Sequence, residues 1–121
     1  MSKTILTVDD SRTIREMLKA ALLDAGMEVV QAEDGLHGLE VLETCEPDVI
    51  ITDINMPRMD GFGFIEAVRG SDRHRAIPIL VLTTESVDDK KDRARRAGAS
   101  GWIIKPFDPV KLVTAINRVA A

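Results

Sequence analysis

Val49-Ile50-Ile51-Thr52-Asp53 reads as a strand that is apolar on both faces and stops at a carboxylate. A run of β-branched residues without polar alternation must be covered on both sides, which is the situation of a strand inside a parallel sheet flanked by helices. Three other runs have the same character: Ile5-Leu6-Thr7-Val8, Ile79-Leu80-Val81-Leu82 and Trp102-Ile103-Ile104. A fifth, Glu28-Val29-Val30-Gln31-Ala32, alternates polar and apolar residues and is predicted at a sheet edge. Between the runs the apolar residues recur at helical spacing. From Arg12 to Asp24 the residues Ile14, Met17, Leu18, Ala21 and Leu22 form one stripe, followed by Gly26 as a terminator. Leu36, Leu39 and Leu42 mark a second helix closed by Pro47; Phe64, Ile65 and Val68 mark a third; Leu112, Val113 and Ile116 mark the last. The segment Ser86 to Ala97 offers only Val87, Ala94 and Ala97 as an apolar face. Asp89 with Arg93 and Asp92 with Arg96 supply ion pairs at i,i+4, so this fourth helix is predicted to be loosely anchored. Strands and helices that alternate in this way predict an α/β, doubly wound parallel sheet of five strands, with residues 1–121 as a single domain.

Composition narrows the function classes. Hydrophobic residues make up 45% and charged ones 30%, with 5 prolines and 8 glycines, a balance that buries a core and excludes a disordered or collagenous chain. Sixteen basic against twenty acidic side chains leave a net charge of -4, and no basic stripe is interleaved with aromatics, which argues against nucleic acid as a partner. The lone Cys45 has no disulfide partner, and the polar start Met1-Ser2-Lys3-Thr4 is followed by no long apolar segment. The chain is therefore expected to be cytoplasmic, with no membrane association. His37 and His74 are isolated and offer no ligand set.

In an open α/β sheet, ligands bind beyond the carboxyl ends of the strands, where strand order reverses. The strand ends carry polar residues: Asp9 and Asp10 after the first, Asp53 after the third, Thr83 and Thr84 after the fourth, Lys105 and Pro106 after the fifth. Three convergent carboxylates carry -3, Lys105 returns +1, and a divalent cation brings the sum to zero. Oxygen donors without His or Cys favour Mg²⁺. A carboxylate beside Mg²⁺, with an ammonium and a hydroxyl aimed at one point, is also equipment for accepting a phosphoryl group as an aspartyl phosphate. Asp53 is the natural nucleophile, because it stands alone at a central strand end while Asp9 and Asp10 form a pair. Read singly, Asp9 and Asp10 also suit a helix cap. Met56 and Met59 read as packing residues, and the charges of Lys90 to Arg96 as a solvated helix face.

The segments Val8-Asp9-Asp10-Ser11, Thr52-Asp53-Ile54-Asn55-Met56-Pro57, Met59-Asp60-Gly61, Leu82-Thr83-Thr84-Glu85 and Ala97-Gly98-Ala99-Ser100-Gly101 through Lys105-Pro106-Phe107 together resemble the receiver domain of two-component response regulators, and over the whole chain the single-domain chemotaxis members of that family. The resemblance implies a flavodoxin-like sheet with strand order 2-1-3-4-5. It implies that Asp53 accepts a phosphoryl group from the phosphohistidine of a histidine kinase, and that Asp9, Asp10, Asp53 and the Asn55 backbone carbonyl hold Mg²⁺. Thr83 becomes the switch hydroxyl and Lys105 the phosphate-sensing ammonium, and Lys105-Pro106 becomes a cis peptide. Trp102 takes the switch-aromatic position, where the chemotaxis members more often carry Tyr. The implied output is a changed face of fourth helix, fifth strand and fifth helix on a monomer. That face meets a flagellar motor switch component, or a phosphotransfer protein that carries the group onward; the alternative roles for this chain are phosphorelay intermediate or phosphate sink.

Two other classes fit parts of the pattern. An Asp-nucleophile Mg²⁺ phosphatase of the haloacid-dehalogenase type wants a second Asp two residues after the nucleophile, where this chain has Asn55. A flavodoxin-like cofactor binder wants a Gly/Ser/Thr-rich loop after the first strand, whereas this loop is anionic and repels phosphate without a metal. The 121 residues hold no DNA-binding or enzymatic segment after the last helix, so the expected output is a partner protein and not a reaction of its own.

Overall fold

The computed structural model describes residues 2–120. Along the chain run β1 (Thr4–Val8), α1 (Arg12–Asp24), β2 (Glu28–Ala32), α2 (Gly35–Leu42), β3 (Val49–Thr52), α3 (Gly61–Arg69), β4 (Ile79–Thr83), α4 (Asp88–Ala97), β5 (Gly101–Ile104) and α5 (Pro109–Val119). All pairings are parallel and the order is β2-β1-β3-β4-β5, as the resemblance implied. The apolar strands divide their side chains between two cores. Leu6, Val8, Ile50, Ile79 and Val81 meet Leu42, Phe64, Ile65, Val68 and Ala94 from α2, α3 and α4. Ile5, Val49, Ile51, Leu80 and Leu82 meet Leu18, Leu22, Leu112 and Ile116 from α1 and α5. Strand continuity in the sequence thus becomes burial on both faces of β3 and β4, whose every residue is buried.

The edge strands depart from that pattern. β2 lies at one edge, as its alternation predicts. β5 lies at the other and is only half buried, with Ile104 exposed, although Trp102-Ile103-Ile104 reads as a strand covered on both faces. The reason is α4, whose one buried residue is Ala94 and which therefore covers little of the strand beside it. Truncating a buried leucine such as Leu22 costs about 2–5 kcal/mol, and α4 has no comparable anchor. Val87 is half exposed instead of packing inward. The i,i+4 pairs expected on α4 are absent among the described ion pairs; Asp92 pairs with Arg95 at 3.7 Å, and Arg93 lies over the Phe62 ring at 4.1 Å. Stacking on an aromatic face offered Arg93 more than a solvated carboxylate did.

Helix ends explain the rest of the looseness. Ser11, Asp34, Asp60 and Asp108 each accept a backbone N–H with their side chains and cap α1, α2, α3 and α5. The cap of α1 is Ser11, so Asp9 and Asp10 are free of that duty. α4 begins after Val87 without a side-chain cap. Its other end is secured: Gly98 adopts a left-handed φ of 116°, and its carbonyl accepts Arg69 Nε at 3.0 Å and Nη2 at 2.8 Å. α2 stops at Leu42, well before Pro47. No helix among the described residues is long and apolar enough to cross a membrane. Val87→Ser supplies the missing cap and is expected to raise stability by about 0.5–1 kcal/mol in urea denaturation, with slower amide exchange in the first turn of α4; unchanged exchange there would refute a cap-limited terminus.

Candidate functional site

Strand order reverses between β1 and β3, which opens a crevice at their carboxyl ends. Asp9 leaves β1 at this edge and Asp53 leaves β3, both buried, while Asp10 faces solvent. Carboxylate oxygens of the three lie within 4.8 Å of one another. At that separation and an effective dielectric of about 20, each charged pair repels by about 3 kcal/mol. Lys105 relieves part of this. Its backbone N–H extends the β4–β5 ladder to the Thr83 carbonyl at 2.8 Å, and the cis bond to Pro106 comes next, as the resemblance implied. Its Nζ donates to Asp9 Oδ2 at 2.9 Å and to Asp53 Oδ2 at 2.7 Å, with the side chain 10% exposed. The remaining oxygens find backbone donors: Asp9 Oδ1 accepts the Ser11 N–H at 2.9 Å and Asp53 Oδ1 the Ile54 N–H at 2.6 Å.

The protonation preferences of Asp9 and Lys105 follow burial first and their mutual contacts second. Burial pushes the Asp9 carboxyl above its ordinary value of 3.8, against the downward pull of Lys105 and the Ser11 N–H, and the Asp53 charge adds to the rise. For Lys105, burial disfavours the ammonium, but its bonds to Asp53 and Asp9 prevail and lift it above 10.5. The lysine is thus a fixed cation facing an excess of carboxylate. The donor set is all oxygen, and one carboxylate is open to water. That combination suits Mg²⁺, which takes few protein ligands and keeps several waters. Asn55, exposed in the β3–α3 loop, would add its backbone carbonyl.

That loop returns to its starting point. The Gly61 N–H donates to the Ile54 carbonyl at 2.8 Å, and a Cβ on Gly61 would lie 2.8 Å from the Ile54 Cα and still closer to the Asp53 carbonyl, so only glycine lets α3 begin against the acidic strand end. Arg58 near the loop tip has φ 64°, a region that costs a non-glycine residue about 1–2 kcal/mol. Met56 and Met59 pack against the α2–α3 core, as expected.

Thr83 is fully buried, and its Oγ1 accepts the Glu85 N–H at 3.3 Å. Glu85 makes three further contacts. Its carbonyl accepts Trp102 Nε1 at 3.2 Å, and its Oε1 accepts both Asn55 Nδ2 at 3.0 Å and Lys90 Nζ at 2.9 Å. One residue thus touches Thr83, Trp102, the loop after Asp53 and the first turn of α4. Sequence pattern alone gives Glu85 no role, and it gives none to Asp34, Arg58 or Arg69. Asp34 before Gly35 carries a cap signal; nothing local announces the others, because Arg58 meets Asp34 across 24 residues of chain, Arg69 meets Gly98 across 29, and Glu85 meets Trp102 and Asn55 across 17 and 30. His37 and His74 make only local hydrogen bonds, His37 Nδ1 with the Glu33 N–H and His74 Nδ1 with the Ser71 hydroxyl.

Residues 5–117 match the Response regulator receiver domain. The chain belongs to that family. Among curated receiver-domain relatives it is 40% identical over 117 residues to chemotaxis protein CheY1 of Helicobacter pylori, covering 95% of this chain and 94% of that one. It is 36% identical over 116 residues to chemotaxis protein CheY of Pseudomonas aeruginosa, with 95% and 94% covered. Among solved receiver structures, the chemotaxis response regulator CheY4 of Vibrio cholerae superposes with a TM-score of 0.92 at 44% identity, over 98% of this chain and 99% of that one. The receiver domain of a sensor histidine kinase from Pseudomonas aeruginosa, solved with a magnesium ion coordinated in its active-site cleft, gives a TM-score of 0.91 at 25% identity, with 99% and 98% covered.

The two partners of the receiver's central ion pair are not equivalent. Lys105→Ala leaves Asp9 and Asp53 facing each other unpaired and is expected to cost about 3 kcal/mol in metal-free urea denaturation. Asp53→Asn removes a repulsive charge while Lys105 keeps Asp9, so that variant is expected to be as stable as wild type or more so, with a smaller rise in melting temperature on adding Mg²⁺. A metal-free Asp53→Asn protein that melts below wild type contradicts the charge-excess reading.

Proposed function

We propose that this receiver domain is a phosphorylation-dependent signalling switch in which Asp53 takes a phosphoryl group from the phosphohistidine of a histidine kinase. The observation that carries this is the Lys105 ammonium bonded at once to Asp9 and Asp53 at the strand-order reversal. A carboxylate oxygen of Asp53 forms the new bond to phosphorus, the P–N bond to imidazole breaks, and the departing ring nitrogen keeps the electron pair and takes up a proton. Asp9, Asp10, Asp53 and the Asn55 carbonyl would hold Mg²⁺, which when bound would supply positive charge against the phosphoryl oxygens. Lys105 already bonds Asp53 Oδ2 and needs only a small shift to meet a phosphoryl oxygen beyond it. The chain thereby catalyses its own phosphorylation, and its autodephosphorylation, without acting on a separate substrate.

Thr83 is the hydroxyl that moves towards the new group. Its departure takes away the acceptor of the Glu85 N–H, and Glu85 holds Trp102 through its carbonyl and Lys90 through its carboxylate. α4, uncapped at its first turn and fastened by Arg69 at its last, is the element that costs least to shift. The altered surface is the face of α4, β5 and α5. The names of the relatives point to chemotaxis as the setting, and the reading that goes with it is a cytoplasmic monomer whose partner is a flagellar motor switch component. A phosphorelay or phosphate-sink role uses the same site. The phosphatase reading loses ground because Asn55, in the place of its second carboxylate, is engaged as an amide donor to Glu85.

Acetyl phosphate with Mg²⁺ is expected to add one phosphoryl group by intact mass, and Asp53→Asn to abolish it; wild-type labelling of that variant moves the nucleophile elsewhere. Beryllofluoride with Mg²⁺ is expected to change Trp102 emission more than Mg²⁺ alone, and Thr83→Ala to blunt the change. An unaltered Trp102 signal in a protein phosphorylated on Asp53 leaves the aromatic a structural role only.

A further inference from the structure

The β3–α3 loop contains the one non-glycine residue with a left-handed φ among the described residues, Arg58. The Met59 N–H donates to the Pro57 carbonyl at 2.7 Å, closing a three-residue turn around Arg58, whose φ is 64°. With a positive central φ this is the rare, strained form of the γ-turn, and such a conformation persists only where its surroundings over-determine it. Here they do. Arg58 Nε donates to Asp34 Oδ2 at 2.7 Å and Nη2 to Asp34 Oδ1 at 2.9 Å, a two-pronged ion pair. Asp34 is itself immobile: it is buried and accepts the His37 N–H at the start of α2. Beside it the Gly35 N–H donates to the Met59 carbonyl at 3.2 Å, in a contact so close that a Cβ on Gly35 would lie 2.8 Å from that oxygen.

The loop is therefore pinned at both ends. Its base is fixed by Gly61 against Asp53 and Ile54, and its tip by Arg58 and Met59 against the start of α2. Asn55 lies between the two. A backbone carbonyl has no side-chain torsion with which to adjust, so its placement depends wholly on the path of the loop, while Mg²⁺ demands near-ideal octahedral geometry. We propose that Asp34 and Arg58 are positioning residues for the metal site: their ion pair holds the strained turn so that the Asn55 carbonyl stands where Mg²⁺ requires it. This rests on the Mg²⁺ reading of the acidic site.

Simple charge bookkeeping and the clamp give opposite signs for one variant. Arg58→Gly removes a positive charge from the surroundings of an acidic site, which by Coulomb attraction alone tightens Mg²⁺. It also relaxes the φ restriction and frees the loop tip, which by the clamp weakens Mg²⁺. Calorimetric titration of wild type, Arg58→Gly, Arg58→Lys and Asp34→Asn with MgCl₂ separates these. Arg58→Gly is expected to bind Mg²⁺ about tenfold more weakly than wild type, the size of loss usual when a partner behind a metal ligand is removed. Arg58→Lys, which keeps the charge but loses the fork, is expected to fall in between, and Asp34→Asn, which keeps an oxygen to cap α2, to resemble Arg58→Gly. Should Arg58→Gly fail to fold, Arg58→Lys and Asp34→Asn decide. Wild type without Mg²⁺ affinity overturns the metal reading itself; wild type that binds beside variants that bind equally or more tightly overturns the clamp alone.

Discussion

Lys105 Nζ stands between two carboxylates delivered by different strands, 2.9 Å from Asp9 and 2.7 Å from Asp53, and it is the only cation bonded to either side chain among the described ion pairs. Two charges of one sign and one of the other form an arrangement that is stable yet unfinished. The lysine makes the acidic edge tolerable, but Asp10 adds a third carboxylate and the local sum stays negative. Most of the loops around this point are organised to keep the groups converging. Gly61 brings α3 up against the Asp53 carbonyl, and Ser11 takes over the capping of α1 so that neither aspartate is spent on it.

Stability is distributed in keeping with that task. β3 and β4 are buried throughout, and α1, α3 and α5 are capped and press apolar stripes into the two cores. α4 has one buried alanine and no N-terminal cap; its last turn is fastened through Gly98 to Arg69, and its earlier turns through the side chains of Lys90 and Arg93. A site that must hold charges to within a fraction of an ångström lies on the rigid part, and the element free to respond lies beside it. Glu85 is the physical link between them, with its N–H on Thr83, its carbonyl on Trp102 and its carboxylate on Asn55 and Lys90.

The sheet and most of its helices are legible in the sequence because burial on two faces leaves a mark that any window displays: Val49–Thr52 and Ile79–Leu82 have no polar alternation to hide. The acidic edge is legible too, since strand ends are where the runs stop, and the same residues that stop them carry the charge. β5 reads as fully covered and is not, because the sequence of a strand does not state how much its neighbouring helix covers. The Asp89–Arg93 pair expected on α4 fails because helical spacing cannot announce Phe62, which comes from another helix and draws Arg93 away, and Asp92 meets Arg95 in place of Arg96. Arg58, Asp34, Arg69 and Glu85 act across 17 to 30 residues of chain, a reach beyond local pattern.

A structure of the protein with Mg²⁺ and beryllofluoride tests the central claim most directly, because it shows where a phosphoryl mimic settles and what the lysine then does. The account requires beryllium on a carboxylate oxygen of Asp53, the Lys105 ammonium moved off Asp9 onto a fluorine, and the Thr83 hydroxyl drawn from the Glu85 N–H towards the same group. Beryllofluoride bound elsewhere, or an Asp53 adduct with Lys105 still bridging Asp9 and Asp53, would contradict it.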